Sequence, residues 1–240
     1  MNDLLNHVLT AHGGLERWSQ IGELSVDAQF HGPFWKVRGF SDEPFHAKLT
    51  AETRQEWIRF SPWAAPGQDM IFDRSEDQVS LVAEDGGTLE SRTGIRSTYG
   101  GYDLASPWES LQVGYFLGYA MWNYLTTPFL FTYPGMESRE GARWEESDET
   151  WRRLHVKYPD SIASHSSEQT FYFAENGMLR RLDYNVDVNV GVAVARYVGE
   201  YKDFHGIIFP TRRRVHRRNP DNSASENWSI GIELENVTMS

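Results

Sequence analysis

The chain has no cysteine, which excludes disulfide staples, zinc–thiolate centres and thiol nucleophiles together. Outside one aromatic-rich helical stretch it has no run of about eighteen apolar residues. The hydroxyls and glycines of that stretch argue against a span, so no integral membrane association is expected. The start, MNDLLNHVLTAHGGLERW, lacks a basic region, a long apolar run and a small-residue cleavage site. With no leader visible the default expectation is a cytoplasmic location, or an exported one if a leader has been removed. No Gly-rich phosphate loop follows a strand, Gly86-Gly87 and Gly100-Gly101 reading as turn glycines, so neither a nucleotide nor another cofactor is expected. The histidines sit singly on separate segments, without a His-x-x-x-His or His-x-His pair, and no metal site is expected. Positive charge is scarce: 23 Lys and Arg against 34 Asp and Glu leave a net −11, which repels nucleic acid and anionic membrane surfaces alike. Arg212, Arg213, Arg214, Arg217 and Arg218 form the basic cluster. It reads as the outward face of a strand, the alternative being an anion-binding edge.

Aromatics, by contrast, are abundant, at 14% with nine Trp, and point to a wide apolar interior. They concentrate in SPWESLQVGYFLGYAMWNYLTTP, Ser106 to Pro128. Ser106 with Glu109 makes a capping box, Pro107 takes the first helical position, and Thr127-Pro128 closes the far end. The helix so predicted has almost no charged face, so it must be covered nearly all round. Tyr115, Tyr119, Trp122, Asn123, Tyr124 and Thr126 would each want a hydrogen-bond partner. These features predict a sheet that wraps the helix and leaves its free side facing a cavity.

The rest of the chain is organised around that helix. Asp3 to Trp18 reads as a short helix broken at Gly13-Gly14, with His12 as a local cap. From Leu24 the period changes to two, with Leu24, Val26, Ala28 and Phe30 on one face. Strands follow at Phe34 to Phe40, Phe45 to Ala51, Gln55 to Phe60, Met70 to Phe72, Gln78 to Val82 and Thr88 to Arg92, an antiparallel meander. Beyond the helix, Phe129 to Met136 reads as an apolar loop. Gly141 to Glu146 and Thr150 to Tyr158 form a hairpin, and a polar insertion runs from Pro159 to Gln169. Thr170 to Phe173 and Met178 to Val186 pair across Asn176-Gly177, whose residues tolerate the positive φ of a tight turn. Val192 to Tyr201, Ile207 to Arg217 and Asn227 to Val237 finish the chain. The expected fold is a single mostly β domain over residues 1–240. It is a curved antiparallel half-barrel of about ten or eleven strands around the aromatic helix, with an N-terminal helix.

HGGLERW at His12 to Trp18, the meander, the helical plug, DFHGIIFPTRRRV at Asp203 to Val215 and a last strand ending IELENVTMS at Ile232 to Ser240 together resemble the bacterial LolA/LppX/LolB-like group of outer-membrane lipoprotein-sorting and carrier proteins. The resemblance implies a half-open antiparallel barrel, plugged at its mouth by helices, whose apolar cavity holds acyl chains or another lipophile. Family members usually carry an export signal and many a lipid-modified cysteine. This sequence shows neither, and what the resemblance leaves is a cavity for a hydrophobic ligand.

Strand alternation independently assigns Trp35, Trp57, Phe72, Tyr115, Tyr119, Trp122, Phe171, Phe173, Tyr184, Tyr197 and Tyr201 to one concave face, the alternative being that these rings fill it solid. Ligand pockets commonly combine such rings with a few polar anchors. The expected function is binding of a lipophilic small molecule or lipid. A second reading is a cofactor-independent isomerase, cyclase or hydrolase, in which His165 and Asp160 of the polar insertion, with Asp183 and Tyr158, transfer protons. No oxyanion-hole or Gly-x-Ser-x-Gly signature accompanies them. A third is a protein-interaction module using the sheet edge or a Trp-rich surface.

Overall fold

In the computed structural model, which describes residues 2–240, β1 (Glu23–His31) buries Leu24, Val26, Ala28 and Phe30 and turns the residues between them outward. The chain continues antiparallel through β2 (Phe45–Glu52), β3 (Trp57–Ser61), β4 (Gln68–Asp73), β5 (Gln78–Ala83) and β6 (Thr88–Thr93), the alternation clearest in β2 and β3 and lost in the exposed edge strand β6. A second series comprises β7 (Glu137–Glu140), β8 (Trp144–Glu146), β9 (Glu149–Lys157), β10 (Glu168–Phe173), β11 (Leu179–Val186), β12 (Val192–Phe204), β13 (Ile207–Arg218) and β14 (Ala224–Met239). Pairing of β1 with β14, from Leu24 opposite Met239 to His31 opposite Gly231, fuses the two series. The result is one 14-stranded sheet in the order β6-β5-β4-β3-β2-β1-β14-β13-β12-β11-β10-β9-β7, with β8 also on β9. The sheet is curved and unclosed, since β6 and β7 end it without pairing to each other.

The chain leaves the sheet at one edge and re-enters at the opposite one, so the connection must cross the concave face. Helix α4 (Ser110–Thr126) makes that crossing, and every residue from Leu111 to Thr126 is buried. Helices α1 (Asp3–Ala11) and α2 (Gly14–Ser19) precede the sheet and dock through Leu4, Leu5, Val8, Leu9 and Trp18. His12 caps α1, its Nδ1 2.9 Å from the Val8 carbonyl.

Several expected boundaries move. The sheet has 14 strands rather than about ten or eleven; β8 lies within the expected Gly141 to Glu146 strand, whereas β7 was not expected, since its residues ESRE carry no apolar alternation. Phe34 to Phe40 is not a strand: Pro33 starts a short helix, α3 (Pro33–Val37), after Gly32 at φ +113°. Helix α4 begins four residues later than Ser106. The Ser106 hydroxyl is engaged with Asp103 (2.8 Å) and Trp108 N–H donates to the Arg38 carbonyl (2.9 Å). Glu109 and Gln112 form the capping box instead. Phe129–Thr132 and Ile95–Tyr99 are 3-10 turns.

The crossing helix is not centred. Ideal Cβ atoms at Gly114 and Gly118 would meet Met70 at 2.6 Å and Phe72 at 2.4 Å, so these glycines alone let the helix backbone lie against β4. At 100° per residue, Phe116 and Ala120 occupy the opposite side, flanked by Leu117 and Tyr124. That side faces the β11–β14 wing across a gap.

Candidate functional site

The gap is an apolar cavity of about 340 Å³, at the lower end of the range usual for small-molecule sites. Helix α4 supplies Phe116, Leu117, Ala120 and Tyr124. Opposite them stand Tyr184 and Val186 of β11, Val192 and Val194 of β12, Val215 of β13, and Ile230 and Ile232 of β14. Helix α3 brings Phe34, Trp35 and Val37, and the following residue, Arg38, pins this corner shut. Its guanidinium donates to the carbonyls of Asp103 (3.2 Å) and Ser106 (2.6 Å) and to Asn189 Oδ1, and it lies 4.4 Å from the centre of the Trp108 ring.

At the mouth the apolar lining continues into solvent. Val37, Leu104 and Trp228 line the cavity and are 45%, 43% and 36% exposed, and Val190, which shares an adjoining hollow with Leu104, is 58% exposed. Most of the large hydrophobic side chains that this protein leaves exposed therefore gather at one opening, a distribution that marks a surface for apolar contact.

Behind Tyr124 and Tyr184 lies a closed polar cluster. His165, 3% exposed, has Nδ1 3.0 Å from the Tyr119 hydroxyl and Nε2 2.6 Å from the Tyr124 hydroxyl, and its ring stacks on Tyr184 at 4.2 Å. Burial, with Arg196 and Arg96 nearby, holds its pKa well below the usual histidine value, so the ring is neutral. The polar groups expected on the helix find partners elsewhere too: Trp122 Nε1 donates to the Glu52 carbonyl (2.7 Å) and Asn123 Nδ2 to the Ala163 carbonyl (2.8 Å).

Of the aromatic residues assigned to the ligand, Trp35 and Tyr184 line the cavity. Tyr119 belongs to the His165 cluster. Tyr115 borders a separate polar groove with Arg96 and Asp160. Trp122 packs edge-on to Tyr133, and Phe171 packs against Phe131 at 4.6 Å. Phe72 and Phe173 are buried core. Tyr201 hydrogen-bonds the Leu179 carbonyl and faces His12. Trp57 alternates with the inward Ile58 and Phe60 and so points outward. Tyr197 packs with Trp151, Tyr172 and Trp144 in a cluster separate from the main core, and donates to Glu146.

The proton-transfer trio does not converge. Asp160 is exposed, and only its backbone carbonyl is engaged, by Arg74 at 2.7 Å. Asp183 alternates with Tyr184 and points to the other side of the sheet, where Arg181 Nε (2.7 Å) and the Tyr172 hydroxyl (2.9 Å) hold it. Neither carboxylate has a hydrogen bond to His165. Tyr158 is buried. Among the described residues no group of three or more His, Asp or Glu is placed to hold a metal ion.

Sequence reasoning did not assign to the cavity Tyr124, the neighbours of Trp35 at the α3 corner (Phe34, Val37 and Arg38), or the valine and isoleucine face of β12–β14. The alternation Val192-Val194-Arg196-Val198 was the available signal. It also missed Arg213, which was grouped with an outward basic face. Alternation with Phe209, Thr211 and Val215 turns Arg213 inward, where it is buried.

No protein-family model matches the chain, and no curated protein matches it. Solved structures do match. A LolA superfamily protein from Nitrosomonas europaea superposes with a TM-score of 0.54 at 8% identity, over 97% of this chain and 92% of its own. The chain has a LolA-like fold. The domain from Vibrio parahaemolyticus described as outer membrane lipoprotein-sorting gives 0.52 at 9% identity over 93% and 89% of the two chains. A DUF1329 family protein from Desulfovibrio piger gives 0.57 at 11% over 98% and 91%. The resemblance drawn from element order is thus a likeness of fold, and the half-barrel around a helix is its shared architecture. Among the described residues no helix is long and apolar enough to cross a membrane, and nothing in these likenesses supports the cytoplasmic placement.

Proposed function

We propose that the protein binds a lipophilic small molecule or lipid in the cavity between α4 and the β11–β14 wing. The observation that carries this reading is the continuity of the apolar lining from Leu117, Val194 and Ile232 inside to Val37, Leu104 and Trp228 at the mouth. Burial of ligand surface there supplies roughly 25 cal/mol per Å², before the costs of association. The likeness to a lipoprotein-sorting domain supports a carrier role, and a setting at the bacterial envelope rather than in the cytoplasm.

The test is native mass spectrometry of freshly purified protein, followed by titration of the delipidated protein with the neutral fluorescent lipophile N-phenyl-1-naphthylamine. A co-purifying lipophile and saturable binding are expected, with binding lost in Ala120→Trp, whose indole fills the cavity. Unchanged binding by a folded Ala120→Trp protein overturns the assignment of the site.

A further inference from the structure

The buried arginines of this protein fall into two groups. Arg181, 1% exposed, is matched by the carboxylates of Asp183 and Glu146 and by the Tyr197 hydroxyl, and Arg38 finds two carbonyls and an amide oxygen. Arg196 and Arg213, 2% and 1% exposed, have no such matching. Among the described residues, Nε and Nη1 of Arg196 and both Nη atoms of Arg213 find no hydrogen-bond partner, and neither side chain is in a salt bridge with a carboxylate. A guanidinium has five N–H donors and cannot shed its charge as a lysine can. Leaving two of them unmatched in the interior is costly unless something else matches them.

Their position says what that is. Arg196 pairs across the sheet with Val215, and Arg213 with Val198 and Ile232, so the two arginines are diagonal neighbours on the inward face, interleaved with the cavity-lining Val215 and Ile232. Tyr124 joins them to the cavity: its ring forms part of the cavity wall and lies 3.4 Å from the Arg196 guanidinium carbon. The two like charges disfavour each other, and burial together with Arg196 lowers the Arg213 pKa to about 9. An anion between them relieves both. With a net charge of −11 the protein surface offers anions little general attraction, so affinity for one has to be local.

We propose that the cavity takes an anionic amphiphile, its slender apolar body against Leu117, Val194 and Ile232 and its compact carboxylate or phosphate head held between Arg196 and Arg213 once the Tyr124 ring swings aside. This rests on the lipophile-binding reading and names the chemical class of the ligand.

Displacement of N-phenyl-1-naphthylamine from the delipidated protein at pH 8 tests it, with dodecanoate, dodecyl phosphate, dodecanol and inorganic phosphate as competitors. Dodecanoate, dodecyl phosphate or both are expected to displace the probe at concentrations at least about ten-fold below dodecanol, as a charge-assisted hydrogen-bonded head requires. Inorganic phosphate is expected not to compete. The double variant Arg196→Met/Arg213→Met is expected to bind dodecanol as before and lose the preference for anions, while Arg213→Lys keeps part of it. Equal displacement by dodecanol and both anions in the wild type overturns the head-group site and leaves the apolar cavity standing. Failure of the wild type to bind the probe and every dodecyl compound overturns both. Competition by inorganic phosphate as strong as that of dodecyl phosphate refutes the amphiphile. The wild-type preference needs no variant, so the inference stays testable even if the double variant does not fold.

Discussion

Gly118 is the position at which one methyl group tests the placement of the crossing helix. An ideal Cβ there would lie 2.4 Å from the Phe72 Cβ and 2.6 Å from its Cγ, where ordinary contact begins at 3.4 Å. The obstruction sits next to the β4 backbone and cannot rotate away, so Gly118→Ala has to push α4 off β4 by roughly 1 Å, the difference between those distances. Overpacking of this kind costs about 1–3 kcal/mol. A clash fixed to the β4 backbone belongs at the upper end of that range, and alanine returns about 1 kcal/mol through its better helix propensity, leaving a net destabilisation of about 2 kcal/mol. At Gly114 the new methyl meets the Met70 Sδ at 2.6 Å, a flexible side chain that can yield, so Gly114→Ala is expected to cost less. The displacement drives Phe116, Leu117 and Ala120 toward the β11–β14 wing, and Gly118→Ala should therefore also weaken lipophile binding. Urea denaturation followed by tryptophan fluorescence gives the stabilities, and a neutral fluorescent lipophile reads the cavity. A Gly118→Ala protein as stable as the wild type, or one less destabilised than Gly114→Ala, refutes the close packing of α4 on β4.

Other outcomes follow from the same geometry. Burial lowers the His12 pKa from 6.5 to about 4, and His165 is lowered well below its usual value by burial and by Arg196 and Arg96. The unfolded chain therefore takes up protons that the native state refuses, and stability present above pH 6.5 is lost as pH falls. His12 alone accounts for about 3 kcal/mol by pH 4, measurable as a falling urea midpoint between pH 7 and 4.5; a flat midpoint contradicts it. Arg196→Met and Arg213→Met should each leave the ligand-free protein as stable or more stable, by up to about 4 kcal/mol, because each removes an unmatched buried charge. A large drop in melting temperature would show that these charges are matched within the protein. Trp228→Ser with Val37→Ser at the mouth should slow lipophile uptake several-fold in stopped flow while leaving the urea midpoint within about 0.5 kcal/mol of the wild type; unchanged uptake removes the mouth from the route.

The half-barrel was legible in the sequence because its strands are buried on one face. Leu24 to Phe30 and the Asn176-Gly177 hairpin carry their period and turn chemistry in the open. The helix was legible as one that must be covered all round, and so were the polar atoms on it that needed partners. Its eccentric seat was not, since Gly114 and Gly118 served only as an argument against a membrane span until Met70 and Phe72 stand beside them. The cavity wall was obscured for a related reason. Val194, Val215, Ile230 and Ile232 look like ordinary core, and whether such a face packs or leaves a gap depends on how far the opposing element stands off. His165 was read as a general base with Asp160 and Asp183, but long-range folding gave it Tyr119, Tyr124 and Tyr184 as neighbours while Asp160 faced solvent and Asp183 the other side of the sheet.

The most direct measurement is intermolecular NOE spectroscopy of the delipidated protein loaded with a 13C-labelled acyl chain. The account predicts contacts from the chain to methyl groups of Leu117, Val194, Val215 and Ile232, and none to Leu49 or Val79 on the β2 and β5 side of the helix. A bound chain that touches only the outer surface, or none of the Leu117, Val194, Val215 and Ile232 methyls, contradicts it.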